Sequence, residues 1–232
     1  MKRKLVIVTG GSSGIGAAIL EKFSQENYQV INLSRKNCRQ KSVINLNVDL
    51  SDPELSSVKN ELVKYARKCN EIILIHNAFS YFKDSALNPS LKKIDKAVNV
   101  AIKSPMTLNK LIIPYMKNGS CIIYIGSTLS TKAVKNNFSY VTLKHAVIGM
   151  MKATVQDLFG KKISCFCICP GFTDTPMLNR HLPANLLKII KSKNSFNRLV
   201  TPEEIAKTLF QLTISPAVNG AVIDLNLGQY DE

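Results

Sequence analysis

Acidic residues, histidines and long apolar runs are all scarce in this chain. Only 16 aspartates and glutamates accompany 31 lysines and arginines, which gives a formal net charge of +15 over 232 residues. The basic residues are scattered and are not interleaved with stacking aromatics, so we expect no nucleic-acid partner and interpret the charge as solvated helix faces. No apolar run could span a bilayer, and residues 5–8 are too few for a signal peptide, so we expect a cytoplasmic protein with no membrane partner.

The six cysteines do not form a recognisable set of metal ligands. Cys165, Cys167 and Cys169 alternate along a predicted strand, which places all three on one face. No histidine and no second cysteine cluster completes a zinc site. We therefore predict that the chain binds no metal, and we interpret these cysteines as small buried apolar side chains rather than disulfide partners.

Strand-like and helix-like patterns alternate along the whole chain. Continuous apolar runs predict strands that are covered on both faces, and apolar residues at helical spacing predict the segments between them. This alternation predicts an α/β fold with a doubly wound parallel sheet of about seven strands, in which residues 1–232 form a single domain. The predicted strands are 5–9, 28–33, 42–48, 72–76, 120–125, 163–168 and 222–225; the predicted helices are 14–27, 52–69, 89–116, 138–159 and 202–213.

Three local signals refine the helix boundaries. Asp52 followed by Pro53 predicts the N-terminus of the second helix. Two prolines, Pro105 and Pro114, predict a kink or break in the long helix 89–116. Residues 201–204, Thr-Pro-Glu-Glu, form a predicted capping box at the start of the last helix.

The turn after the first predicted strand suits a dinucleotide. Glycine permits a tight turn and lets backbone N–H groups approach a pyrophosphate, towards which the next helix directs its positive N-terminus. The candidate residues are Gly10, Ser12, Ser13, Gly14, Ile15 and Gly16.

The end of the second predicted strand bears on which dinucleotide binds. An NAD site usually has a carboxylate there for the ribose 2′-hydroxyl, whereas this chain has Ser34 and Arg35. Arginine can hold a 2′-phosphate through paired hydrogen bonds. We therefore predict that NADP is preferred and keep NAD as the alternative; an ordinary surface arginine is the other interpretation.

Tyr140 and Lys144 form the candidate proton-transfer pair. Residues four apart on a helix share a face, and a neighbouring ammonium lowers the pKa of a tyrosine from its usual value of about 10. Ser127 lies thirteen residues before the tyrosine. Such a set can move a proton to or from a carbonyl oxygen, although the spacing alone is common on helix surfaces.

In combination, these motifs resemble the short-chain dehydrogenase/reductase family along nearly the whole chain. The resemblance implies a Rossmann-type, three-layer α/β/α fold and an NAD(P)-dependent oxidoreductase that transfers a hydride between the nicotinamide and a small-molecule carbonyl or secondary alcohol. The matching motifs are Thr9-Gly10 with Gly14-Ile15-Gly16, Asp49-Leu50, Asn77-Ala78, Asn99, Ser127, Tyr140 with Lys144, residues 169–175 and Asn219-Gly220.

The family implies a role for each catalytic candidate. Tyr140 would act as the general acid or base, and Lys144 would lower its pKa and hold the ribose hydroxyls. Ser127 would hydrogen-bond the substrate carbonyl, and Asn99 would position a water that links Lys144 to solvent.

The family also implies further cofactor contacts. Asp49 would accept a hydrogen bond from the adenine amino group beside Leu50, and Asn77 and Ala78 would line the cofactor channel. Four residues after the sixth strand would hold the carboxamide: Pro170, Gly171, Thr173 and Thr175.

Some features depart from the family pattern or vary within it. Phe79 replaces the usual glycine after Asn77-Ala78, and residues 35–40 are too few for the usual helix after the second strand. Residues 176–199 are expected to form a substrate lid, including Met177, His181, Leu182 and Phe196, although an ordinary amphipathic helix is the alternative.

We expect a homodimer or homotetramer, because helices 89–116 and 138–159 mediate assembly in this family. The second of these helices also carries what we interpret as surplus apolar surface, formed by Ala146, Val147, Met150, Met151 and Val155.

Other functions stay open at this point. Within the family, the alternatives are a 3-oxoacyl-carrier-protein reductase, whose acidic partner would suit the basic surface, and a diketone or pterin reductase of the benzil/sepiapterin type. A dinucleotide-sensing binding protein without turnover is the non-enzymatic alternative.

Overall fold

A computed structural model describes residues 3–181 and 183–230 of the chain. These residues form a seven-stranded sheet in the order β3-β2-β1-β4-β5-β6-β7, with every neighbouring pair parallel. The predicted doubly wound sheet is therefore confirmed. The strands are β1 Lys4–Thr9, β2 Gln29–Ser34, β3 Val43–Asn47, β4 Glu71–His76, β5 Cys121–Ile125, β6 Ser164–Pro170 and β7 Val222–Leu225.

Helices cover both faces of the sheet, as continuous apolar strands require. Helices α1 and α8 pack on one face, and α2, α4 and α5 pack on the other. The thiols of Cys165, Cys167 and Cys169 all belong to the second of these apolar layers, so their predicted placement on one strand face is confirmed. The helices are α1 Gly14–Gln25, α2 Lys59–Ala66, α3 Leu91–Val98, α4 Ser104–Ile112, α5 Phe138–Asp157, α6 Pro176–His181, α7 Ala184–Ser192 and α8 Pro202–Thr213.

The predicted start of α2 at Asp52 is wrong. Leu55 is fully buried and has a left-handed φ of 53°, which a continuous helix cannot contain. The Asp52 carboxylate instead accepts a hydrogen bond from the Glu54 amide (3.2 Å) in a turn, and the helix begins only at Lys59. Burial of Leu55 thus displaces the helix start that local sequence signals favour.

The long helix predicted over 89–116 is interrupted. A π-helical turn, Asn99–Lys103, separates α3 from α4, and a 3₁₀ turn, Ile113–Tyr115, follows α4. Pro105 lies in the first turn of α4, where its missing amide costs least. The Ser104 amide donates to the Asn99 carbonyl, five residues back, as a π turn requires. The predicted break is therefore confirmed.

The C-terminal helix α8 begins as predicted. Thr201 Oγ1 accepts a hydrogen bond from the Glu204 amide (3.2 Å), and a Glu204 carboxylate oxygen accepts one from the Thr201 amide (2.9 Å). The two bonds satisfy two backbone donors that a helix start leaves free, so the predicted capping box is confirmed.

The surplus apolar surface expected on α5 is largely absent. Val147 and Met151 are buried in the core, and Met150 and Val155 pack against it, which leaves Ala146 exposed. These residues are used in packing α5 against β5 and β6. An oligomer therefore stays a prediction that rests on the family alone.

Two further segments bear on the cleft. Residues 35–42 connect β2 directly to β3 without a helix, as predicted. The expected lid region contains α6 and α7, with Met177 and Phe196 exposed; Leu182 lies outside the described residues. Within the ranges that the structure describes, no helix is long and apolar enough to cross a membrane.

Candidate functional site

The candidate residues converge at the carboxyl edge of the sheet, beside the boundary between β1 and β4. The strand order reverses its direction there, and such a point leaves a crevice in which α/β proteins bind ligands. The glycine turn follows β1, Asn77 and Ala78 follow β4, Ser127 follows β5, and Gly171 follows β6. Candidates spread over 160 positions of sequence are therefore brought to one edge.

The glycine turn is held by side-chain bonds from the end of β4. Asn77 Nδ2 donates to the carbonyls of Thr9 (2.9 Å) and Gly10 (3.2 Å). Thr9 Oγ1 in return accepts from the amides of Asn77 (2.9 Å) and Ala78 (3.0 Å). These reciprocal bonds fix the predicted Asn77-Ala78 motif against the turn.

The N-terminus of α1 is left bare. Gly10 has a φ of +70°, and a Cβ on Gly16 would collide with the Gly10 carbonyl oxygen. Ser13 occupies the N-cap position, but its side chain makes no capping bond, and the first turn has no acidic residue. Ser12 precedes the N-cap residue, and Gly14 and Ile15 are the first two residues of the helix. The turn thus combines a glycine-lined surface with uncapped amides, which is the geometry that binds phosphate.

Arg35 and Asp49 lie together at the β2–β3 end of the cleft, and both are exposed. Hydrogen bonds from Ser51 hold the pKa of Asp49 below its usual range, helped by the charges of Lys96 and Arg35. Ser34 is buried, and its hydroxyl donates to the Lys36 carbonyl (2.6 Å). Leu50 is buried in the core beside Asp49.

Ser127 and Tyr140 meet on the β5 side of the cleft. Ser127 begins a 3₁₀ turn, where its hydroxyl accepts from the Leu129 amide (3.1 Å). Burial raises the pKa of Tyr140, and a hydrogen bond with the Ser127 side chain opposes that rise. The lowering of this pKa by Lys144, expected from the sequence, stays a prediction.

Lys144 is almost fully buried, with 4% of its surface exposed. Its Nζ donates to the Ile125 carbonyl (2.8 Å) and lies 4.4 Å from the centre of the Phe79 ring and 5.8 Å from the centre of the Tyr140 ring. Burial lowers the pKa of Lys144 to about 8. Tyr140 and Lys144 therefore share a helix face. The Lys144 ammonium lies near the rings of Phe79 and Tyr140 and donates to the Ile125 carbonyl.

Asn99 lies in the π turn between α3 and α4. Its side-chain amide donates to the Ser51 carbonyl (2.9 Å), which ties this turn to the loop after β3. Its implied role in positioning a water stays a prediction.

The segment after β6 returns to the glycine turn. The Gly171 amide donates to the Leu225 carbonyl (2.9 Å), and the Thr173 hydroxyl donates to the Gly171 carbonyl (3.0 Å). A side chain on Gly14 would lie 3.2 Å from Thr175 Cγ2. Thr175 thus lies beside the start of α1, at the glycine turn.

Sequence reasoning missed two groups beside Tyr140. The Tyr81 ring lies 5.3 Å from the Tyr140 ring and 4.8 Å from the His181 ring, measured between centres. Asp84 is buried and accepts hydrogen bonds from both the amide (2.9 Å) and the hydroxyl of Ser139, which directly precedes the tyrosine. Burial opposes its ionisation, yet the bonds from Ser139 hold the Asp84 pKa below its usual range. Asp84 is one of only 16 acidic residues in the chain, and that scarcity was the available signal for it.

The chain is similar to known proteins along most of its length. The family model described as short chain dehydrogenase matches residues 4–185. The chain is 28% identical to a 3-oxoacyl-[acyl-carrier-protein] reductase of Thermotoga maritima, over 98% of each sequence. It is 31% identical to a protein of the same name from Chlamydia trachomatis, over 97% of this chain and 96% of the relative.

A solved structure is also similar. The ligand-free aldohexose dehydrogenase of Thermoplasma acidophilum superposes with a TM-score of 0.86 at 26% identity, over 98% of this chain and 94% of that one. The likeness extends over the whole sheet and both helical layers.

Proposed function

The chain belongs to the short-chain dehydrogenase/reductase family of NAD(P)-dependent oxidoreductases, and we propose that it reduces a carbonyl group to an alcohol with NADPH at Tyr140. The observation that carries the proposal is the meeting of Ser127, Tyr140 and Lys144 at the sheet edge that also holds the glycine turn. The same groups serve the reverse oxidation, so the proposal covers both directions.

The cleft fits a phosphorylated dinucleotide. The bare glycine surface and uncapped amides of α1 suit a pyrophosphate. The exposed Arg35 suits a 2′-phosphate, since no carboxylate takes its place at the end of β2. Asp49 and Leu50 would contact the adenine, Asn77 and Ala78 would line the channel, and residues 170–175 would hold the carboxamide. The cofactor supplies or accepts the hydride when it is bound.

The protein's own residues handle the proton. Ser127 would donate a hydrogen bond to the substrate carbonyl oxygen, and the Tyr140 hydroxyl would give its proton to that oxygen as it becomes an alkoxide. The Lys144 ammonium would stabilise the resulting phenolate, because a nearby positive charge favours the ionised form. Asn99 would position a water on the path from Lys144 to solvent.

A 3-oxoacyl group carried by an acidic carrier protein is the second candidate substrate. Two observations favour it over an unattached ketone: the relatives named above act on that class, and the net charge of +15 suits an acidic partner. We also propose a cytoplasmic homodimer or homotetramer, with residues 176–199 as the lid over the substrate.

Cofactor and substrate are tested together. Oxidation of NADPH and NADH is followed with aldehydes, ketones, diketones, acetoacetyl-CoA and acetoacetyl carrier protein. Tyr140→Phe should lower kcat about 100- to 10,000-fold while NADPH binding by calorimetry is retained. Tyr65→Phe on α2 is the matched control and should keep its activity.

Each other outcome has a definite meaning. Tight NADPH binding without reduction of any compound in the panel would favour the dinucleotide-sensing alternative. Failure of both cofactors to bind would show that our interpretation of the glycine turn and Arg35 is wrong. A strong preference for the carrier-protein thioester over acetoacetyl-CoA would support the second candidate.

A further inference from the structure

Phe79 is the residue of the cleft whose presence the proposed reaction does not explain. It follows Asn77-Ala78 at the end of β4 and is half-buried. Its ring packs on an apolar cluster formed by Ala97, Ala101 and Leu143, so it is held from the side of α3 and α5. The ring therefore has a fixed place beside the catalytic pair.

This ring contacts both members of the pair. Lys144 Nζ lies 4.4 Å from its centre, well inside the 6 Å at which a cation and an aromatic face attract each other. The Tyr140 ring meets it edge to face, with 5.0 Å between centres and an interplanar angle of 73°. A single side chain thus contacts both functional groups.

Lys144 has little else to stabilise its charge. No carboxylate forms an ion pair with it within residues 3–181 and 183–230. The titratable groups that face it are Tyr140 on its own helix and the thiols of Cys167 and Cys169 on β6. Those two thiols favour the ammonium, and so do its hydrogen bond to the Ile125 carbonyl and the face of Phe79.

We propose that Phe79 is a positioning residue whose aromatic face keeps Lys144 protonated and directed along the Tyr140 side of the cleft. The effect on turnover rests on the proposed function, whereas the effect on the lysine itself does not. The ring has two opposed influences: its quadrupole favours the ammonium, and its bulk excludes the water that would also favour it. Removing the ring while keeping an apolar side chain shows which influence is larger.

The experiment is a titration of Lys144 by NMR in protein labelled with ¹³Cε-lysine, with the signal assigned by its absence in Lys144→Met. Phe79→Leu should lower the titration midpoint by about one pH unit, because a desolvated cation–π contact has that magnitude. Phe79→Tyr, which keeps the ring, should leave the midpoint within a few tenths of a unit. Phe82→Leu removes another ring from the same cluster and should also leave it unchanged.

The sign of the shift decides the proposal. An unchanged or higher midpoint in Phe79→Leu would overturn it, since the ring would then act only by excluding water. Tighter NADPH binding with an unchanged midpoint would also overturn it and show that Phe79 merely narrows the cofactor channel. Where Phe79→Leu does not fold, Phe79→Met supplies an apolar replacement without a ring.

Turnover gives a second readout. A lower midpoint means that the ammonium is lost at lower pH, so the alkaline limb of the kcat profile of Phe79→Leu should move down by the same amount. A shifted NMR midpoint in a protein that reduces nothing would leave this inference standing while the proposed function fails.

Discussion

The two halves of the cleft are built by different means. On the β1–β2 side, backbone groups form the surface: a bare helix N-terminus, a left-handed Gly10 and the space left by Gly16. On the β5–β6 side, buried side chains form it: Lys144, Ser127 and the acid Asp84. The backbone surface depends on the absence of side-chain atoms at its glycines. The side-chain surface depends on contacts, between residues distant in sequence, that hold each side chain in place.

The two halves are sensitive to opposite kinds of substitution. The β1–β2 side should lose cofactor binding when an atom is added, because it supplies space for the cofactor. The tyrosine half fails when an atom is removed, because each buried polar group there needs its partner.

The largest effect should come from Asp84→Ala, which removes the acceptor for the Ser139 amide and hydroxyl at the start of α5. The Ser90 amide, which also donates to this carboxylate (3.4 Å), loses its acceptor as well. Three bonds to a buried charge are lost, so we expect the free energy of unfolding to fall by about 3 kcal/mol, measured by urea denaturation. Asp157→Ala, at the exposed end of the same helix, should change it little.

The same variant carries a pH test. The Asp84 pKa is depressed in the folded state, so its contribution is present above the unfolded value of about 3.9 and is lost as pH falls below it. The stability difference between Asp84→Ala and the parent should therefore shrink below about pH 4. A difference that stays constant down to pH 2 would contradict the ionised acceptor.

A smaller effect is expected from Gly16→Ala. The added Cβ meets the Gly10 carbonyl, a backbone atom that cannot rotate away, so α1 must move from the turn. Such crowding costs about 2 kcal/mol, so the NADPH affinity measured by calorimetry should fall about 30-fold. In Gly149→Ala, on the open face of α5, the added atom meets nothing and binding should be preserved. Equal losses in both variants would show that the turn is not the binding surface.

The smallest effect should be that of Arg35→Ala. Because this guanidinium is exposed, its contact with a 2′-phosphate should be worth about tenfold in NADPH affinity, with NADH affinity unchanged. Arg67→Ala, at the residue directly after α2, is the distant control. A loss that is equal for both cofactors would assign Arg35 to the adenine or pyrophosphate rather than to the extra phosphate.

The sequence predicted the sheet closely and the side-chain contacts poorly. The strands were placed within two residues because buried parallel strands are continuous apolar runs with sharp ends. The start of α2 was missed because a buried Leu55 overrides the local signal at Asp52. The π turn after α3 has no comparable signature, although Pro105 predicted a break there.

The sequence likewise predicted only part of the candidate site. The glycine turn and the Tyr140–Lys144 spacing are local patterns, so the sequence could predict them. The direction of the Lys144 ammonium depends on Phe79, sixty-five positions away, and on the Ile125 carbonyl. Which groups surround a buried charge is decided by packing across the sheet, and no local pattern encodes it.

The direct connection between β2 and β3 has a consequence for how the molecule assembles. Val30 pairs with Val43 only thirteen positions along, whereas Ile73 and Cys121 on β4 and β5 are forty-eight positions apart. Since the entropy of closing a loop grows with the logarithm of its length, the first pairing costs about 1 kcal/mol less. Folding the Arg35 end of the cleft therefore costs less chain entropy. Forming the end that holds Ser127 requires β4 and β5, which are farther apart in sequence, to pair first.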